Sequence, residues 1–231
     1  MNEMINVLDK GYVRLTNVMG SDLSVVNSAR VSYDKESTEL TEGDTRLIRF
    51  LAREGHTSPF RHATVQFEMY TPLMVARQHW KYVVGSDHTM DAWNESSRRY
   101  VTEEPAFYIP KEGEWRSAPE NSKQGSGDFL DESVGDDLTY NLIKHVKASE
   151  ELYELAMAQG IAAEQARLFL PAYGMYVRYY WTASLQSVAH FLNQRLAHDS
   201  QVEIQEYAKA VYELVKPHFP VSINELVKGE A

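Results

Sequence analysis

The chain has no cysteine among its 231 residues. That absence removes disulfides, thiolate metal sites and every mechanism that opens with a cysteine nucleophile. Also missing is any apolar run near the roughly 20 residues that a membrane-spanning helix needs. The N-terminus, Met1-Asn2-Glu3-Met4, lacks the basic-then-apolar layout of a secretory leader. The expected location is therefore the cytoplasm, with no membrane partner. A basic surplus is lacking too. The net charge of −10 argues against a nucleic-acid polymer as main partner, because such binders carry a basic face. A small phosphate ligand stays compatible, since a few pocket arginines suffice whatever the total charge. No repeat or obvious linker interrupts residues 1–231, and one domain is expected.

What is present is a core. Hydrophobic residues make up 43% of the chain, with 14 Tyr and 4 Trp, a globular composition. Met4 to Leu15 reads as an opening strand with a turn at Lys10-Gly11. Ser21 suits an N-cap for a helix carrying Leu23, Val26 and Ala29. Leu47, Ile48 and Leu51 mark a second helix that Gly55 ends. Ala63 to Tyr70 alternates as a strand, with Val65, Phe67 and Met69 on one side. Thr71-Pro72 has the N-cap and first-turn signature of a helix reaching Val83. Residues 84–136 are the least regular, and Pro119 to Gly135, short of apolar anchors, reads as a mobile loop.

The last hundred residues are mostly helical. A long amphipathic helix starts around Leu138, Leu142, Ile143 and Val146 and closes at Gly160. Ala163 to Leu170 forms a short helix stopped by Pro171. Met175, Val177, Tyr179 and Trp181 alternate with Tyr176, Arg178 and Tyr180 as a strand. Ser184 and Ser200 are placed to cap two further helices. The expected class is α+β: a central, mostly antiparallel sheet flanked by helices, with a helical C-terminal half.

Polar groups gather in His56-Thr57-Ser58-Pro59-Phe60-Arg61-His62, in Arg77-Gln78-His79-Trp80-Lys81, in Asn94-Glu95-Ser96-Ser97-Arg98-Arg99-Tyr100, and in Glu164-Gln165-Ala166-Arg167 with Asn193-Gln194-Arg195. His56 and His62 have no carboxylate at ligand spacing, so capping or packing is favoured over a metal, and no metal site is expected. Asp87-His88-Thr89-Met90-Asp91 reads as a solvated loop. Arg167 lies inside the apolar run Ile161 to Leu170, and Arg195 follows the apolar face ending at Leu192. A half-buried guanidinium needs an anionic partner, which an internal salt bridge or a ligand would supply. Ser97 and Arg99 pair a hydroxyl with a guanidinium on a polar turn, a combination suited to phosphate. Composition and spacing reach a phosphate or carboxylate ligand and no further.

Taken together, these segments resemble the flavin-dependent thymidylate synthase family nearly end to end. The resemblance is carried by Asp9-Lys10-Gly11, Ala29-Arg30-Val31-Ser32, Gly55-His56-Thr57-Ser58-Pro59-Phe60, Val75-Ala76-Arg77-Gln78, Asn94-Glu95-Ser96-Ser97-Arg98-Arg99-Tyr100, Glu164-Gln165-Ala166-Arg167, Tyr180-Trp181-Thr182 and Phe191-Leu192-Asn193-Gln194-Arg195. It implies a homotetramer with active sites shared between subunits, a dUMP-like nucleotide, FAD, methylenetetrahydrofolate as carbon donor and NADPH as reductant. Gln78, Ser97, Arg99 and Arg167 would hold the nucleotide phosphate, supported by Glu95. Arg195 would face the pyrimidine as the catalytic group, favouring negative charge on the ring without a covalent nucleophile. Ser58, Ser184 and His190 would line the flavin, with Glu95 at its border.

Three departures accompany the match. Lys81-Tyr82-Val83 stands where the family signature places Arg-His-Arg, an insertion runs from Asp87 to Trp93, and Arg61 replaces an acid after Pro59-Phe60. Lys81 keeps one charge within reach of substrate and flavin but not a bidentate fork. Tyr82 either stacks on the flavin ring or packs as an ordinary tyrosine. Three activities are compatible: thymidylate synthesis, hydroxymethylation of dUMP or dCMP on the same scaffold, and nucleotide binding without flavin chemistry.

Overall fold

Strand β1 (Glu3–Val7) turns through Leu8, which takes a positive φ of 58°, into β2 (Gly11–Met19). The opening is thus a hairpin, its turn beginning at Leu8. The structure is a computed structural model that describes residues 3–84, 91–97, 104–120 and 125–228. Strands β3 (Thr64–Pro72), β4 (Ala92–Glu95) and β5 (Tyr176–Ser184) complete an antiparallel sheet of order β1-β2-β3-β5-β4. Alternation divides its two faces. Val13, Leu15, Val65, Phe67, Met69, Val177, Tyr179 and Trp181 are buried in the core.

The opposite face is polar and ordered in rows across the register. Arg14, Glu68 and Tyr180 are one row; Gln66 and Thr182 are another, which Thr16, at a bulge in β2, joins through its hydroxyl. Burial alone would raise the Glu68 carboxyl. Hydrogen bonds from Tyr12 (2.5 Å), Arg14 and Tyr180 (2.9 Å) outweigh that and hold it below the usual carboxylate range.

Among the described residues the helices are α1 (Asp22–Arg30), α2 (Glu42–Arg53), α3 (Leu73–Val84), α4 (Glu132–Ala158), α5 (Ala163–Ala166), α6 (Leu185–Arg195), α7 (Val202–Val215) and α8 (Ser222–Leu226). Helices α3, α6 and α7 pack on the apolar face of the sheet. None of the helices is long and apolar enough to cross a membrane.

Local chemistry moved several boundaries. Pro72 ends β3, so Thr71 is no cap; its hydroxyl donates to the Pro72 carbonyl (3.3 Å). The first amides of α3 are satisfied by backbone instead, Leu73 to the Met175 carbonyl (2.9 Å) and Met74 to that of Tyr173 (3.0 Å). Ser200 does not cap α7 either: its hydroxyl donates to the Gln194 carbonyl (2.9 Å), and Gln201 is the N-cap.

The stretch read as a mobile loop is largely tied down. Backbone bonds run from Ser117 to Asp128 and from Leu130 to Trp115 (both 2.9 Å), and α4 begins at Glu132. Gly135 lies inside α4, where a Cβ would sit 1.7 Å from the Glu112 carbonyl oxygen; the closeness requires glycine. Residues 121–124 of that loop lie outside the described residues.

Asp91, expected in a solvated loop, is half-buried at the head of α6, with its Oδ1 lacking a hydrogen-bond partner; residues 85–90 before it lie outside the described residues. Burial outweighs hydrogen bonds from Ser187 and the Ser184 backbone and pushes the carboxyl up to about 6. A raised carboxyl favours the folded state when protonated. Its contribution is complete below the ordinary value of 3.8 and is lost as pH rises through about 6. Asp91→Asn is expected to melt above the parent at mildly alkaline pH, with the difference vanishing in acid. Equal melting temperatures throughout would show that burial costs Asp91 nothing.

Candidate active site

Helix α3 is oriented by His79. The imidazole is buried among Trp93, Tyr179, Trp181 and Phe191, and its Nδ1 lies 2.9 Å from the Tyr179 hydroxyl. Burial lowers its pKa to about 3, so it is a neutral core residue. With His79 inward, the helical period puts Gln78 and Tyr82, four residues apart, on one flank. That flank faces the end of α6, where Arg195 is the last helical residue.

Together they line a polar cleft of about 610 Å³, closed by Asn193, Gln194, Asp199, Ser200 and Gln201. The Arg195 guanidinium carbon lies 4.7 Å from the centre of the Tyr82 ring, and Nη1 donates to Gln78 Oε1 at 3.4 Å. No carboxylate lies within ion-pair distance of Arg195 among the described residues, and its buried Nε has no hydrogen-bond partner. The salt bridge that sequence allowed as an alternative is absent there. The charge is held by a ring face, an amide and the negative end of a helix dipole, all weaker than a carboxylate. It remains available to a ligand.

A second cleft, of about 540 Å³, opens beside the start of α3 and contains Glu95, Ser97 and Arg167. β4 brings Glu95 here, and the Ser96 amide fixes the strand end by donating to the Arg178 carbonyl (2.8 Å). Arg167 is exposed, not half-buried, and its Nε donates to the Glu164 carbonyl (3.2 Å). Partial burial raises the Glu95 carboxyl from its ordinary range, opposed by Trp93 and the Arg77 charge. Arg99 lies outside the described residues, as do Arg98 and Tyr100.

Within one chain the expected residues therefore divide. Gln78 and Arg195 share one cleft; Glu95, Ser97 and Arg167 share the other. Of the expected flavin residues, Tyr82 and the exposed His190 have ring centres 6.1 Å apart. Lys81 is exposed one position before Tyr82, and Ser58 is exposed at the head of a short 3-10 turn. Val83 points into the core. Ser184 is buried, and its hydroxyl accepts from the Ser187 amide (3.2 Å) as the N-cap of α6. Sequence reasoning missed Gln201, whose signal was a glutamine two residues before Glu203 at the head of an apolar helix.

A family model described as "Thymidylate synthase complementing protein" matches residues 14–221. The chain belongs to this family. A flavin-dependent thymidylate synthase of Thermus thermophilus is 38% identical over 219 residues, covering 94% of this chain and 76% of that protein. One of Thermotoga neapolitana is 35% identical over 227 residues, covering 97% and 94%. Among solved structures, the UMP/dUMP methylase PolB from Streptomyces cacaoi, bound with 5-Br dUMP, matches with a TM-score of 0.80 and 27% identity over 96% of both chains. The fold class expected from sequence is thereby borne out, and this member of the thymidylate synthase complementing protein family is an enzyme of that kind.

The cap and flavin readings of Ser184 separate experimentally. Losing an N-cap hydroxyl costs about 1 kcal/mol. Ser184→Ala is expected to lower stability by that order while flavin affinity stays unchanged. Weakened flavin binding with unchanged melting would instead place Ser184 at the cofactor.

Proposed function

We propose that residues 1–231 act as one domain that transfers a one-carbon unit from methylenetetrahydrofolate to C5 of dUMP, giving dTMP. FAD is the cofactor, NADPH the reductant and a homotetramer the working unit. The observation that carries this reading is Arg195, a half-buried guanidinium in a polar cleft without a carboxylate partner among the described residues. With no cysteine to add to the pyrimidine, a fixed positive charge is a way to favour electron density at C5 without a thiol. Arg195 donates to the ring as it becomes anionic, and Gln78 orients the guanidinium. Ser97, Arg99 and Arg167 bind the phosphate, with Glu95 at the edge of that subsite.

The separation of the two clefts within one chain supports a site assembled between copies. The long helix supports it as well. α4 turns Gly135, Thr139, Ser149 and Ala156 inward and leaves Val134, Ile143, Leu152, Leu155 and Met157 exposed. Exposed large apolar side chains of this kind gain by being covered by another chain.

The residues present fit a flavin in part. Tyr82 and His190 offer ring faces, and exposed donors come from Lys81 on α3 and Ser58 on the short 3-10 turn. Ser184 and Val83 are buried. Bound there, FAD supplies hydride transfer and carriage of the one-carbon unit, chemistry that no side chain of this protein provides.

The alternative product, a hydroxymethylated dUMP or dCMP, is favoured by one observation. At the signature positions occupied by Lys81 and Val83, one side chain points to solvent and the other into the core. Mass spectrometry of the product formed from dUMP, methylenetetrahydrofolate, FAD and NADPH decides. The mass of dTMP is expected. One further oxygen would establish the hydroxymethylase, and no flavin uptake with no product would leave a nucleotide-binding protein.

Site variants test the division of labour. Arg195→Ala is expected to lower kcat by roughly 10²–10³-fold, the cost of losing one preorganised donor, with a smaller effect on dUMP affinity. Arg167→Ala is expected to raise the dUMP dissociation constant by about 1.5–3 kcal/mol, the worth of a charged hydrogen bond. The opposite pattern would exchange the two roles.

A further inference from the structure

Arg195 terminates a hydrogen-bonded chain that crosses the wall between two cavities. Its Nη1 donates to Gln78 Oε1 (3.4 Å), and Gln78 Nε2 donates to Gln201 Oε1. Gln201 Nε2 donates to Glu203 Oε2 (2.8 Å) and lies 3.6 Å from the Met74 sulfur. Glu203 Oε1 accepts from Arg116 Nη2 at 2.5 Å. Glu203 is buried, with Arg116 nearly so (side chains 6% and 17% exposed), and both line a separate cavity of about 350 Å³ beside Trp115 and Phe107.

The two ends set the direction of the chain. A carboxylate only accepts and a guanidinium only donates, whereas a carboxamide does either according to which way it is turned. Glu203 requires the NH2 of Gln201, which presents its carbonyl to Gln78. Gln78 must then turn its own NH2 to Gln201 and its carbonyl to Arg195.

We infer that Gln201, polarised by the buried Glu203–Arg116 pair, is a positioning residue that holds Gln78 with its acceptor toward Arg195 and so fixes the guanidinium in the cleft. The inference rests on the reading of Arg195 as the ring-activating group, and it assigns Glu203 and Arg116 a role at a distance from the substrate.

Glu203→Gln is the discriminating variant, because it keeps the shape and removes the polarity. Arg116 retains the carbonyl of the new amide, whose NH2 then faces Gln201. Gln201 flips, Gln78 flips in turn, and an NH2 meets Arg195 donor to donor. The expected result is a kcat lowered roughly 10- to 100-fold, the scale of a misplaced catalytic group. The dUMP dissociation constant stays nearly constant. In an Arg195→Ala background the same change is expected to have no further effect, since both act through one group. Gln201→Met, which keeps the volume, covers the case in which Glu203→Gln does not fold, and is expected to show the same loss and the same non-additivity.

Wild-type kcat in folded Glu203→Gln or Gln201→Met overturns the relay, as does a loss that persists undiminished without Arg195. Neutron diffraction reads the amides directly. The Gln78 deuterons should point at Gln201 in the parent and at Arg195 in Glu203→Gln; an unchanged orientation overturns the relay whatever the kinetics. If Arg195→Ala is itself fully active, the ring-activating role fails, and the neutron result still decides the relay.

Discussion

The structure turns on a positive charge, Arg195, that no carboxylate among the described residues neutralises. Partly burying a guanidinium costs solvation, and a carboxylate partner is the ordinary remedy. Arg195 is given lesser compensation: the Tyr82 ring face, the Gln78 carbonyl and the C-terminal end of α6. The other half-buried arginines among the described residues are handled differently. Arg14 meets Glu68, Arg30 meets Asp44 at 2.5 Å, and Arg116 meets Glu203. Against that background an Arg195 without a carboxylate among the described residues suits the binding and catalytic role proposed for it, and the fold supplies its rigidity. His79 sets the rotation of α3, and the Ser184 cap starts α6 at a defined residue.

The same geometry explains why one chain carries incomplete sites. The start of α3 opens on the cleft of Ser97 and Arg167, whereas its last turns face Arg195. A ligand with a flat ring at one end and a phosphate at the other needs both kinds of cleft. In the proposed assembly the outward apolar residues of α4 would supply the association that brings them together from different copies. Oligomerisation and catalysis are then one problem of packing.

Much of this was legible in the sequence because it followed local rules. The alternation of Val65, Phe67 and Met69 and of Val177, Tyr179 and Trp181 located both central strands. Ser21 and Ser184 did mark helix starts. Long-range competition caused the errors. Thr71 and Ser200 have cap chemistry, but their hydroxyls found nearer carbonyls, while backbone from residues 171–175 satisfied the head of α3. Gly135 closed the stretch read as a mobile loop, although a helix needs it where Glu112 approaches. At the site, the motifs grouped Gln78 with Ser97 and Arg167, whereas the fold puts it in the cleft of Arg195. They gave no hint that Ser184 and Val83 face inward, because burial depends on which flank of a helix meets its neighbour. The partners of Gln201, more than a hundred residues away at Gln78, are set by tertiary packing alone.

The most direct test is a crystal structure of the assembled protein with dUMP. The account predicts the pyrimidine against the Arg195 guanidinium of one copy and the phosphate on Ser97 and Arg167 of a neighbour. A nucleotide bound elsewhere, or one whose ring lies beyond hydrogen-bond reach of every Arg195 in the assembly, would contradict it.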